Sequence, residues 1–355
     1  MTNFLNYDTN SIFSSLENFH LQVEHAIELG NSQKEIIYET LPDNIMISGM
    51  GGSAIGAEYF KNFIYNAEYL PNTRIEINRF YNLPRYVDNN TLVILSSYSG
   101  DTEETISACM DAIRKTNKIV AVTVGGKLEK ICKEHNIPIF KLPEGFQPRA
   151  ALGYSFVFFN YILIKCGLLS KDNQLELIKT LNSLPEFIKK INKKYVVHDF
   201  NNPAFKLANQ LFDRIPLIYS SELMLPINLR WRGQFQENSK SMAFGNVVPE
   251  MNHNEINSFF KPIGAIEKLK IILLRDRSNH PRVKIRFDAM KELLNDMGID
   301  FLEYYGIGDS FLERIIDLTL LGDWTSYYLG ILYKQDPNAI PYIQKFKEIM
   351  NKAKD

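Results

Sequence analysis

Apolar residues fall in short blocks along this chain, separated by amphipathic stretches, and the alternation runs almost from end to end. Ile45 to Ser48, Thr73 to Arg79, Leu92 to Ser97, Lys118 to Val124 and Ile137 to Leu142 have the length and composition of buried parallel strands. Helical patterns lie between them, among them Asp101 to Lys115 and a stretch ending at His135. Ahead of them, residues 10–40 predict a helix with Phe13, Leu16, Phe19 and Val23 on one face, ended by Leu41-Pro42-Asp43. Leu152 to Leu169 reads as a buried helix. It contains Asn160 and Lys165 and is short for a membrane span. Residues 170–200 are polar and helical, with Pro185 as a break. A second alternating series follows: helix Pro203–Phe212, strand Ile215–Ser220, helix Pro226–Asn238, strand Lys270–Arg275, helix Arg282–Met297, strand Asp300–Tyr304 and helix Asp309–Leu332. Alternation of this kind predicts an α/β fold of two doubly wound sandwiches, with mainly parallel sheets covered on both faces. The expected division is a helical segment over 1–25, a first domain over 26–170, a connector over 171–200, a second domain over 201–334 and a tail helix over 335–355.

Composition narrows the class. The chain has 355 residues, 45% hydrophobic and 23% charged, with a formal net charge of −1. That balance gives no general attraction to nucleic acid or to an anionic membrane. Three cysteines, Cys109, Cys132 and Cys166, are far apart and odd in number, which fits a reducing cytoplasm and no disulfide framework. The N-terminus lacks the basic start and apolar core of a signal peptide. The six histidines show no spacing suited to a shared metal, so no metal site is expected.

The candidate chemistry begins where strands give way to helices. Leu92 to Leu95 runs into Ser96-Ser97-Tyr98-Ser99-Gly100 and then the helix start Asp101 to Thr105. The first N–H groups of a helix lack intrahelical partners and sit at the positive end of its dipole. A phosphate fits there, and serine or threonine hydroxyls can donate to it. An ordinary capped turn is the alternative. A second such turn, Gly49-Met50-Gly51-Gly52-Ser53, follows the strand at Ile45 to Ser48. Its glycines let backbone approach a ligand. It resembles G-x-G-x-x-G loosely, but Glu76 lies inside a strand and not at its end, which argues against a dinucleotide.

Arg149 precedes the long apolar helix. A cation at a helix start is an electrostatic misfit. It is either solvated or carboxylate-paired, or it is aimed at a ligand anion or oxyanion. In the second half, Arg230 to Lys240 and Pro249 to Glu255 concentrate polar chemistry. Glu237 near a helix end and His253 in a polar loop could serve as base and acid, against the alternatives of an ion-paired glutamate and a solvated histidine.

Taken together, GMGGSAIGA (49–57), SSYSGDTEET (96–105), QPRAALGY (147–154), GQFQENSK (233–240) and PEMNHNE (249–255) resemble the bifunctional phosphoglucose/phosphomannose isomerases, in order and over nearly the whole chain. That family is built of two sugar-isomerase (SIS) domains. The resemblance implies a cofactor-free, metal-independent aldose–ketose isomerase of glucose 6-phosphate or mannose 6-phosphate, passing through a cis-enediol. It implies phosphate binding by Gly52, Ser53, Ser97, Ser99 and Thr102, and enediolate stabilisation by Arg149. Glu237 would carry the proton between C2 and C1. His253 would assist ring opening from the neighbouring subunit of a homodimer. A tail lysine joins it, Lys347 by register or else Lys345. Family members often carry threonine soon after an Asp-Pro pair, where this chain has Asn338 after Asp336-Pro337; that position bears on rotation about C2–C3. A SIS-fold phosphosugar-binding regulator, or an isomerase of another sugar phosphate, are the alternative functions.

Overall fold

The computed structural model describes residues 7–9, 11–196 and 201–353. Residues 1–6 and 10 of the expected N-terminal segment, 197–200 of the connector and 354–355 of the tail lie outside the described residues. In chain order the elements are α1 (Ile12–Glu17), α2 (Phe19–Ser32), β1 (Asn44–Gly49), α3 (Gly51–Asn66), β2 (Arg74–Asn78), β3 (Thr91–Ser96), α4 (Glu103–Lys115), β4 (Ile119–Thr123), α5 (Gly126–Glu134), β5 (Ile139–Lys141), α6 (Leu152–Lys165) and α7 (Lys171–Asn192). They continue with α8 (Pro203–Leu211), β6 (Ile215–Ser221), α9 (Leu225–Asn238), β7 (Phe244–Val248), α10 (Ala265–Lys268), β8 (Leu269–Arg275), α11 (Pro281–Asp296), β9 (Phe301–Tyr305), α12 (Phe311–Leu332) and α13 (Pro341–Lys352).

The chain forms two compact units. An amino-terminal unit holds Glu17–Ile191 and Gly308–Glu313, and a carboxy-terminal unit holds Met1–Leu16, Asn192–Ile307 and Arg314–Asp355. The amino-terminal unit carries a sheet in the order β2-β1-β3-β4-β5, every pairing parallel. Strand residues alternate between its faces. Met46, Val93, Leu95 and Ala121 meet Ala108, Cys109 and Ala112 of α4 and Leu128 and Cys132 of α5. On the opposite face Phe140 meets Phe158 of α6 edge-on at 5.5 Å. Helix α6 is buried from Leu152 to Ile164, which is why it is apolar all round. Asn160 is accommodated by donating to the Phe156 carbonyl at 2.8 Å, and Lys165 at the helix end donates to the Asn31 carbonyl at 3.2 Å. Among the described residues no helix is long and apolar enough to cross a membrane.

The carboxy-terminal unit repeats the plan with a four-stranded parallel sheet, β7-β6-β8-β9. Tyr219, Ile271 and Leu273 pack on Phe287, Met290 and Leu294 of α11. Helix α9 is fixed to α12 by a buried polar ladder at four-residue spacing. Arg230 Nη2 and Gln234 Nε2 donate to the Asp323 carboxylate at 2.7 and 2.9 Å, and Asn238 Nδ2 donates to Ser326 Oγ at 2.9 Å. Trp231 Nε1 donates to the Leu318 carbonyl at 2.8 Å; a Cβ on Gly322 would come within 2.2 Å of that same nitrogen.

Two expectations are corrected, and one strand is added. The helix expected to reach residue 40 ends at Ser32, where the Gln33 N–H turns back to the Gly30 carbonyl and the chain continues extended. Pro185 does not break α7, which runs through it because Leu177, Leu181, Leu184, Ile188 and Ile191 form a buried stripe that outweighs the missing backbone bond. Strand β7 was not expected from its sequence.

Candidate active site

In the amino-terminal sheet β1 leads outward through α3 to β2, and β3 leads the other way through α4 to β4. The order reverses between β1 and β3, and a crevice at the carboxyl ends of such strands is where ligands bind in sheets of this kind. Gly49 and Ser96 are register partners at that edge. The two hydroxyl-rich turns therefore meet, and the expected phosphate residues Gly52, Ser53, Ser97, Ser99 and Thr102 lie on them.

Their hydrogen bonds set the hydroxyls for an anion. Ser53 Oγ accepts the Tyr98 N–H at 3.2 Å, linking the turns directly. Ser99 Oγ accepts the Asp101 N–H at 3.2 Å. Ser97 Oγ accepts the Gly100 N–H at 3.1 Å and donates to Thr102 Oγ1 at 2.9 Å. Each of Ser53, Ser99 and Thr102 is used here as an acceptor, which leaves its own proton to donate to a bound oxyanion. Thr102 is the N-cap of α4 but its side chain makes no cap bond, so the helix start keeps its donors for a ligand. The turn is held from below: Lys127 N–H donates to Asp101 Oδ1 at 3.0 Å and Leu128 N–H to the Gly100 carbonyl at 2.9 Å. Gly100 has a φ of +75°, and a Cβ there would lie 1.8 Å from the Gly125 carbonyl oxygen, so glycine alone fits.

The turn that carries Arg149 packs against this cradle. Arg149 sits in the 3-10 turn Pro148–Ala150 and is 4% exposed. A Cβ on Gly52 would fall 2.6 Å from the Pro148 carbonyl and 2.8 Å from the Arg149 nitrogen. Backbone-to-backbone contact thus places the Arg149 turn against the first turn of α3, which explains glycine at 52.

The corresponding crevice of the carboxy-terminal sheet, between β6 and β8, is filled by the protein's own groups. Ser221 Oγ donates to Asn279 Oδ1 at 2.6 Å, and Asp276 is bonded to Arg314 at 2.7 and 3.0 Å. Burial opposes ionisation of Asp276, yet the Arg314 and Ser278 hydrogen bonds outweigh it and hold the carboxyl below its usual range. A carboxylate in that position disfavours an anionic ligand.

Glu237 is the penultimate residue of α9 and half-buried. His253 is exposed on the 3-10 turn Glu250–His253 that follows β7. Lys240, given no role of its own in the sequence reading, bonds the end of α9. It takes a φ of +55° just beyond α9, and its Nζ donates to the Glu237 carbonyl at 2.8 Å and to the Asp336 carbonyl. A cation just past a helix end that satisfies its last carbonyls is the signal that could have found it. Lys345 of α13 borders, with Ser239, Lys240, Asp336 and Tyr342, a cleft of about 910 Å³; Lys347 lies two residues further along α13 and is exposed. Asn338 is buried, and its N–H donates to Asp336 Oδ1 at 2.8 Å. Among the described residues no group of three or more His, Cys, Asp or Glu side chains is placed to hold a metal ion.

Comparison with known proteins finds relatives of this chain. Residues 200–350 match the family model of the bacterial phospho-glucose isomerase C-terminal SIS domain. A bifunctional phosphoglucose/phosphomannose isomerase of Caldicellulosiruptor bescii is 39% identical over 347 residues, 97% of this chain and 100% of that protein. One from Aquifex aeolicus is 35% identical over 308 residues, 87% of this chain and 90% of that protein. Among solved structures, a hypothetical protein from Thermus thermophilus superposes with a TM-score of 0.73 at 15% identity, over 99% of this chain and 92% of that one, a likeness of fold.

Proposed function

Because the chain belongs to the bifunctional phosphoglucose/phosphomannose isomerase family, we propose that it interconverts glucose 6-phosphate and mannose 6-phosphate with fructose 6-phosphate through the residues described above. The observation that carries the residue assignment is the contact between Gly52 and the Arg149 turn, which sets a guanidinium-bearing turn against a hydroxyl cradle.

The phosphate is held by the Ser53, Ser99 and Thr102 hydroxyls and the N–H groups at the starts of α3 and α4, with Ser97 orienting Thr102 through its own hydrogen bond. Glu237 takes the proton from C2 of the open-chain aldose and delivers a proton to C1, its carboxyl proton exchanging with solvent in between, while O1 gains and O2 loses a proton. The cis-enediolate between these steps carries charge on oxygen, which Arg149 stabilises. His253, supplied by the neighbouring subunit of a homodimer, and the tail lysine, Lys347 or Lys345, serve proton transfer at the ring oxygen during opening. A base acting on one face of a planar enediolate serves both C2 epimers once the C2–C3 bond turns, and Asn338 stands where that turn is governed. No metal or redox cofactor enters, since the phosphate anchor, base, oxyanion stabiliser and proton donor suffice. The cytoplasm is the compartment in which three unpaired, buried thiols would persist.

Coupled assays of the purified protein on each hexose 6-phosphate, with and without a chelator, test this reading. Both sugars should be converted to fructose 6-phosphate at rates the chelator leaves unchanged. Activity lost to chelator and restored by a divalent cation contradicts the metal-free route; turnover of neither sugar overturns the assignment.

A further inference from the structure

Tyr98 stands between two of the cradle serines, yet its side chain reaches away from them along the sequence. Its hydroxyl donates to the Pro143 carbonyl at 2.9 Å and accepts the Phe146 N–H at 2.8 Å. Its backbone N–H meanwhile donates to Ser53 Oγ at 3.2 Å. One residue thus grips both sides: the phosphate cradle through its main chain, and the loop that delivers Arg149 through its phenol. Phe146 is further seated edge-on against Tyr154 at 5.5 Å. The far side of the same turn is gripped by Gln22 of α2, which is 4% exposed. Its Nε2 donates to the Ala150 carbonyl at 2.8 Å and its Oε1 accepts the Gly153 N–H at 2.7 Å.

We propose that Tyr98, with Gln22 as its counterpart across the turn, is a positioning residue that fixes Arg149 against the phosphate cradle. The inference rests on Arg149 acting as the enediolate stabiliser. Oriented charge contributes to the transition state in proportion to how well it is held, and a misplacement near 1 Å can cost about a hundredfold in rate. Phosphate affinity belongs to the serine and threonine hydroxyls, whose own hydrogen bonds Tyr98→Phe leaves in place. The two effects therefore separate.

The test compares Tyr98→Phe, Arg149→Ala and the double variant, each measured for kcat and for the Kd of sorbitol 6-phosphate, which carries the phosphate but no carbonyl. Tyr98→Phe should lower kcat about tenfold or more, with Kd within about twofold of the parent. On the Arg149→Ala background the same substitution should change kcat by less than about twofold. An unchanged kcat in Tyr98→Phe overturns the inference. So does a parallel loss of kcat and affinity, which would make Tyr98 a support of the cradle alone. An Arg149→Ala protein with full kcat refutes the role of Arg149 itself, and a tie that serves it falls with it. Should Tyr98→Phe fail to fold, Gln22→Leu loosens the same turn from α2 and must show the kcat-selective loss, or the inference is rejected.

Discussion

Glu237→Gln is expected to lower kcat by about a thousandfold, within the range general acid–base groups contribute, while the Kd for sorbitol 6-phosphate stays within about twofold. The amide keeps the shape of the carboxylate and cannot take a proton from carbon. Helix α9 is held by Arg230, Gln234 and Asn238 on its buried side, and its C-terminal carbonyls are bonded by Lys240. None of those bonds uses the Glu237 carboxylate. Retained turnover would place the base elsewhere, and a matching loss of affinity would make Glu237 a binding group.

Asp323→Ala should strongly destabilise the carboxy-terminal unit. The Arg230 and Asp323 side chains are 4% and 5% exposed, and the carboxylate also takes the Gln234 amide. Removing it leaves a guanidinium buried without its counter-charge, at a cost of about 3–5 kcal/mol. Chemical denaturation should show that loss. A change below about 1 kcal/mol would mean that water or another acid reaches Arg230, and the ladder would then not be what fixes α9.

What the sequence made legible follows from the range over which each feature is decided. The proposed phosphate cradle is local. Serine and threonine beside a helix start carry their meaning within a few residues, and Ser53, Ser97, Ser99 and Thr102 lie on the two turns that meet. The strands that are buried on both faces were equally plain, because β3 and β4 are unbroken apolar runs. Strand β7 was not. Its sequence FGNVV offers one fully buried residue at an edge position, and Gly245 is there because a Cβ would lie 2.2 Å from the Ile218 carbonyl oxygen. That is a requirement of a neighbouring strand, and no periodicity announces it. Helix α7 misled in the opposite direction, since Pro185 carries a local stop signal that buried leucines override.

The rest of the site was hidden by sequence distance. Arg149 read as ambiguous because its significance comes from Gly52 in α3. The hydroxyl partners of Tyr98 are 45 and 48 residues away, and those of Gln22 are 128 and 131 away, so neither motif nor spacing could reveal what they hold. Lys240 was the exception that sequence logic alone could have reached, as a cation directly after a helix.

The most direct test of the account is the fate of hydrogen at C2 when fructose 6-phosphate is incubated with the protein in D2O. Proton transfer through a carboxylate on an enediolate predicts that glucose 6-phosphate and mannose 6-phosphate both form and both carry deuterium at C2, and that Glu237→Gln forms both about a thousandfold more slowly. Products free of deuterium at equilibrium, or unchanged labelling by Glu237→Gln, would contradict it.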